Sequence, residues 1–214
     1  MTTENIKLLI ADDHPIILKG LKYIILQHFP DCPFEEVSSV YELNRILAAN
    51  NFTHLILDLN LNDGTALDIL PDITNRYPDL HILIYSMASE DIYARNLLNF
   101  RISGFMSKNS SETEILNALH VFFEGGYYIS RSLKTKMQGL NQNADTNIFS
   151  TLSPSELKVV INMLKGYRSK EIASLMGVKP QTVTTYKSRI FEKLGTNNIL
   201  DIQRLADLYN VSFS

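Results

Sequence analysis

Five short apolar runs, "IKLLIA" (6–11), "FEEVSS" (34–39), "HLILD" (54–58), "HILIYS" (81–86) and "ISGFMS" (102–107), alternate with stretches whose apolar residues recur at helical spacing. Ile16, Leu21, Ile24 and Ile25 precede Pro30, and Leu43, Ile46 and Leu47 follow. Next come Leu67, Ile69, Leu70 and Ile73, and finally Ile115, Leu116, Leu119, Phe122 and Phe123. Pro78 stops the third of these patterns and Gly125-Gly126 the last. Near-continuous apolar strands are buried on both faces, and strands separated by helices must run parallel. The pattern therefore predicts an α/β fold: a doubly wound, five-stranded parallel sheet with helices on both faces.

Open sheets of this kind collect their chemistry at the carboxyl ends of the strands, at the point where the strand order reverses. Strand one ends on Asp12 and Asp13, and strand three ends on Asp58. The order 2-1-3-4-5 would bring all three acids together. Taken alone, "ADD" suits an ordinary solvated turn as well as a site. Adjacent carboxylates repel unless a cation is present or one is protonated. Hard oxygen donors with room for water suit Mg²⁺, at roughly 2.1 Å. Ser86 closes strand four and Lys108 follows strand five, so a hydroxyl and an ammonium share this rim. The set lacks a His base beside a nucleophile, as hydrolysis of the triad type requires. It suits a carboxylate that accepts a phosphoryl group, with metal and lysine neutralising the oxygens in flight.

The net charge of −3 hides an asymmetry. Residues 1–150 hold 11 Lys/Arg against 18 Asp/Glu, whereas residues 151–214 hold 9 against 5. A small basic half points to a polyanion as partner. Between the halves, "RSLKTKM" (131–137) has the pattern of one short helix. "QGLNQNADTNIFS" (138–150) is polar, Asn-rich and aperiodic, the composition of a linker. The division expected is 1–126, a connection over 127–150, and 151–214. No apolar stretch is long enough to span a membrane, and "MTTENIK" lacks a secretory pattern, so a cytoplasmic protein with no membrane partner is expected. The single cysteine, Cys32, cannot form an internal disulfide.

The basic half is all helical pattern. Ser153, Pro154 and Glu156 form a capping box with proline at the first helical position, and Gly166 closes that helix. "RSKEIASLMG" is a short second helix, "PQTVTTYKSRIFEKLG" a third, and "NILDIQRLADLY" (198–209) a fourth. Short helix, Gly-containing turn and second helix make a helix-turn-helix layout. In its second helix Val183, Ile190 and Leu194, helped by Tyr186, form the apolar seam. The opposite face is expected to carry Gln181, Thr184, Thr185, Lys187, Ser188 and Arg189. Hydroxyls reach base edges or the thymine methyl, and cations reach phosphates. The same face reads equally as an ordinary solvated helix surface.

With these residues in view, 6–125 resembles the receiver domain of a two-component response regulator, a flavodoxin-like, CheY-like fold. The resemblance implies that Asp58 is the phosphoacceptor. It implies Mg²⁺ held by Asp12, Asp13 and Asp58 with the backbone carbonyl of Asn60. Ser86 and Lys108 would contact the phosphate, and Phe105 would be the aromatic that changes rotamer. Residues 152–209 resemble the LuxR-type DNA-binding domain through "LSPSELKVV", "GYRSKEIASLMGV" and "TVTTYKSRIFEKLG". Together they resemble the NarL/FixJ subfamily, whose fourth effector helix tends to pair with its twin.

What this implies is a transcriptional response regulator, not an enzyme. It would be phosphorylated by a sensor histidine kinase or a phosphotransfer protein, dimerise when phosphorylated and bind double-stranded promoter DNA. Thr184, Thr185 and Ser188 are expected at bases. Lys179, Lys187, Arg189, Arg168 and Lys170 are expected mainly at phosphates, with Gln181 on the same face.

The sequence departs from the family pattern in three places. Asn109 stands where proline usually follows the rim lysine, and Asn62 where proline often follows the acceptor by four residues. Both bear on loop stiffness and dephosphorylation rate. Thr184 and Tyr186 replace the commoner Lys and His, so the base-reading set is this chain's own. His14 is assigned a structural role, capping the first helix beside the acids. Two alternatives stay open here. One is a LuxR-type regulator controlled by partner proteins without phosphorylation. The other is a Mg-dependent phosphatase, suggested by "DLNLNDG" although Asn60 stands where its second acid belongs.

Overall fold

The computed structural model describes residues 6–87, 100, 102–130 and 147–208. Five strands form one parallel sheet: β1 (Leu8–Ala11), β2 (Phe34–Val37), β3 (His54–Leu57), β6 (His81–Ser86) and β7 (Gly104–Ser107). Their spatial order is β2-β1-β3-β6-β7, the expected 2-1-3-4-5 arrangement. A separate two-stranded antiparallel hairpin, β4 (Asn60–Leu61) and β5 (Gly64–Thr65), follows β3 at once. Among the described residues this half also has helices α1 (Pro15–His28), α2 (Val40–Ala49), α3 (Ala66–Arg76) and α4 (Glu112–Phe123).

Period-two alternation sorts the strand residues onto two apolar layers. Leu8 and Ile10 of β1 face α1 and α4, with Leu21, Ile25, Leu119 and Phe122. Leu9 and Ala11 face α2 and α3, with Leu43, Leu47, Leu67 and Leu70. Both faces are covered, which is why the strands read as unbroken apolar runs. Cys32 lies in the first layer, and burial pushes its thiol up to about 11, which makes it inert.

Beyond α4 the chain returns to the sheet edge. Tyr128 forms a parallel bridge with Gly104, its N–H donating 2.8 Å to Ser103 O. Gly104 has φ +142°, and a Cβ there would lie 2.2 Å from Tyr128 O, so only glycine allows this approach.

The helical half consists of a 3₁₀ turn (Ile148–Thr151), α5 (Pro154–Leu164), α6 (Ser169–Leu175), α7 (Pro180–Leu194) and α8 (Ile199–Leu208). The capping box at α5 forms as expected, with Ser153 Oγ accepting from Glu156 N and Glu156 accepting from Ser153 N. Gly195, at φ +63°, ends α7. Within the stretch expected as a connection, the 3₁₀ turn begins at Ile148. Phe149 is fully buried among the helices, and Asn147 and Ser150 are buried beside it. The expected short helix over 131–137 lies outside the described residues, as does most of the segment between β6 and β7. Among the described residues no helix is long and apolar enough to cross a membrane.

Candidate functional site

Sheet register builds the rim. Ala11 pairs with Leu57, so the next residues, Asp12 and Asp58, leave neighbouring strands together. Ser86 pairs with Ser107, and the N–H of Lys108 donates to Ser86 O at 2.9 Å. Asp12, Asp58 and Ser86 are all buried, and Asp13 is partly so. Lys108 Nζ lies 2.7 Å from Asp12 Oδ2 and 2.7 Å from Asp58 Oδ2. The Ser86 hydroxyl hydrogen-bonds the Asp58 carboxylate. Phe105, three residues before Lys108, is buried on the α2–α3 side of the sheet.

Burial raises the Asp58 pKa, against the pull of the Lys108 hydrogen bond and charge, and Asp12 adds to the rise. The Ser86 hydrogen bond also works against the rise.

His14 departs from its expected role. It occupies the N-cap position of α1, yet its side chain makes no capping bond. Its Nδ1 turns to the acids, 2.7 Å from Asp13 Oδ1 and 3.1 Å from Asp12 Oδ1. A ring nitrogen that donates to a carboxylate cannot also accept the backbone N–H that a capping bond requires.

One donor atom from each of Asp12, Asp13, His14 and Asp58 falls within a 4.8 Å cluster. Three of the four are carboxylate oxygens, the hard donor set that suits Mg²⁺. The His14 side chain is more than half exposed. The residues present therefore fit such an ion. Asn60 begins β4, two residues beyond Asp58.

The two asparagines in place of prolines tie their loops down. Asn109 N donates 3.2 Å to Ser107 Oγ, a bond proline cannot make. Asn62 Nδ2 reaches Ser38 O at 3.4 Å. Its neighbour Asp63 caps α2, accepting from Val40 N at 2.6 Å and Tyr41 N at 3.0 Å.

In the helical half, α7 buries Val183, Ile190 and Leu194, with Tyr186 partly buried alongside. Gln181, Thr184, Thr185, Ser188 and Arg189 are exposed, as are Lys179, Arg168 and Lys170. Thr184, Thr185 and Ser188 donate to the carbonyls of Pro180, Gln181 and Thr184, at 3.2, 3.1 and 3.2 Å. With their protons occupied, these oxygens face outward as acceptors. Lys187 needs correction. It follows Val183 by one turn and is half-buried at the margin of the seam, because four residues return a helix to nearly the same face.

Sequence reasoning also missed Glu192, an exposed acid one turn beyond Ser188 on α7. Lys193 was missed as well. Its Nζ lies 2.6 Å from the buried Glu156 Oε2 and 3.1 Å from Thr151 O. Burial alone would raise the Glu156 pKa, but the Lys193 and Ser153 hydrogen bonds outweigh it and hold the carboxyl below its usual value. The capping glutamate thus also anchors the end of α7.

Comparison with known proteins gives the same two parts. Residues 8–120 match the response regulator receiver domain, and residues 150–206 match bacterial regulatory proteins of the luxR family. The chain is 26% identical over 208 residues to the transcription regulator BvgA of Bordetella pertussis, covering 96% of this chain and 99% of BvgA. It is 29% identical over 199 residues to the oxygen regulatory protein NreC of Staphylococcus carnosus, covering 88% and 90% of the two chains. Among solved structures, the RcsB response regulator of Salmonella typhimurium superposes with a TM-score of 0.75 at 26% identity, over 98% of this chain and 99% of that one. A structure of two RcsB dimers bound to two parallel DNAs gives 0.74 at 25%, over 94% and 97%.

Receiver domains bind Mg²⁺ in an acidic pocket, and this chain carries such an aspartate cluster. The phosphatase alternative falls with the family, which regulates transcription and is not an enzyme. The chain belongs to the two-component response regulators that join a receiver domain to a LuxR-type DNA-binding domain.

Proposed function

We propose that Asp58 is the phosphoacceptor and that its phosphorylation governs promoter binding by α7. The observation that carries this reading is the buried ammonium of Lys108, 2.7 Å from both Asp12 and Asp58. An Asp58 oxygen attacks the phosphorus of a phosphohistidine on a sensor kinase or phosphotransfer protein. The P–N bond breaks as the P–O bond forms, the nitrogen keeps the bonding pair, and the imidazole leaves neutral because its other ring nitrogen carries a proton. Mg²⁺, when bound by Asp12, Asp13, Asp58 and the Asn60 carbonyl, supplies charge neutralisation for the phosphoryl oxygens. Lys108 keeps one contact to Asp12 and offers its charge to a phosphoryl oxygen. Ser86 donates to another, and Phe105 follows it on the adjoining strand.

The receiver then spans 1–126, the connection 127–150 and the effector 151–214. The phosphorylated chain forms a homodimer in the cytoplasm, where kinase and promoter meet. Two α7 helices enter successive major grooves about 34 Å apart. Thr184, Thr185 and Ser188, with Gln181, read bases. Lys179, Arg189, Arg168 and Lys170 hold phosphates, and Lys187 reaches one from the margin of the helix. Binding to duplex DNA, with and without acetyl phosphate and Mg²⁺, tests this. Affinity should rise in the wild type and stay flat in Asp58→Asn. Equal responses in both would return the partner-controlled alternative.

A further inference from the structure

The groove between the two halves brings the acceptor loop against the effector. Leu59, Leu61, Asp63 and Asp68 line one wall, and Lys158 and Ile161 the other. Asp68 Oδ1 pairs with Lys158 Nζ across it. Thr65 Oγ1 donates 2.6 Å to the other oxygen of Asp68. Thr65 pairs with Asn60, two residues beyond Asp58. A continuous set of contacts therefore joins the Asp58 loop to α5 without passing through Ser86 or Phe105.

The hairpin in this path is held at its far end too, since Asp63 caps α2. A displacement at Asp58 cannot be absorbed in a slack loop. The charges match across the groove, with acids on the receiver wall and Lys158 and Lys165 on the effector wall. Ile161 lines the groove and is nonetheless buried, beside Leu59 and Leu61, which are buried as well.

We propose that this receiver face is a docking surface for the chain's own DNA-binding half, and that Asp68–Lys158 couples the acceptor hairpin directly to α5. The docked geometry leaves Gln181, Thr184, Thr185 and Ser188 exposed. Docking therefore restrains the orientation of α7 rather than covering its base-reading face. Orientation matters because two such helices must meet half-sites one helical turn apart. The regulatory consequence rests on phosphorylation at Asp58, whereas the docking itself does not.

Asp68 is half open to water, so the pair fixes register more than it adds affinity, but facing like charges would oppose docking. The test uses Asp68→Lys, Lys158→Asp and the double exchange in the full chain. Hydrogen exchange over 59–69 and 158–165 is read without phosphate. DNA affinity is read with and without acetyl phosphate, and Asp58 labelling is followed in parallel. Each single reversal should speed exchange in both segments by at least about fivefold and bring the phosphorylated-to-unphosphorylated affinity ratio to within about twofold of one. Labelling should persist, and the double exchange should restore both readouts. Single reversals that leave exchange and ratio at wild-type values would overturn the proposal, as would a double exchange that restores neither. Absence of labelling in the wild type would defeat the phosphorylation reading, and the exchange measurements would still decide the docking.

Discussion

Lys108 Nζ stands 2.7 Å from Asp12 Oδ2 and 2.7 Å from Asp58 Oδ2, so one buried ammonium holds two buried carboxylates. Removing it leaves both acids without their cation. Lys108→Met should destabilise the receiver by about 3–5 kcal/mol at pH 7 without divalent cation. The loss should shrink as the pH falls and Asp58 takes up a proton, because burial and Asp12 both raise its pKa. Urea unfolding at pH 7 and pH 5, with and without Mg²⁺, measures this. Added Mg²⁺ should recover part of the loss.

At the other end of the sheet, His54 is buried and stacked on His81 at 4.9 Å between ring centroids. Burial, then the charge of His81, lowers its pKa to about 4, against a smaller upward influence of the Phe122 backbone. The unfolded chain takes up a proton near pH 6.5 and the folded chain only near 4. Stability should therefore be full above pH 6.5 and fall by roughly 3 kcal/mol as the pH drops to 4. His54→Phe should flatten that slope in a thermal-unfolding series.

On the effector, base and phosphate contacts separate by their salt dependence. Thr184→Ala and Ser188→Ala should relax preference at single base positions, by about 1–3 kcal/mol, with the salt slope unchanged. Arg189→Ala should weaken all sequences alike and lower the salt slope by about one. Binding isotherms on randomised sites at several salt concentrations distinguish the two.

The rim was legible because strand ends and register are set by apolar period. Once Ala11 lies beside Leu57, the positions of Asp12 and Asp58 follow. The hairpin at 60–65 was not legible, since two-residue strands carry no periodicity. Phe149 was hidden for a related reason: one apolar residue in a polar run gives no pattern, yet it is fully buried. Lys187 was misplaced by judging a helix face by residue type, when its four-residue step from Val183 sets the angle. Glu156 was found as a cap, but its pairing with Lys193, 37 residues on, is a tertiary fact.

The central claim is tested most directly by mapping the phosphoryl group. The chain is incubated with acetyl phosphate and Mg²⁺, the acyl phosphate is trapped by borohydride reduction, and the modified residue is identified by mass spectrometry. The modification should fall on Asp58, should require Mg²⁺, and should disappear in Asp58→Asn. Modification at Asp12 or Asp13 in the wild type, or none at all, would contradict the account.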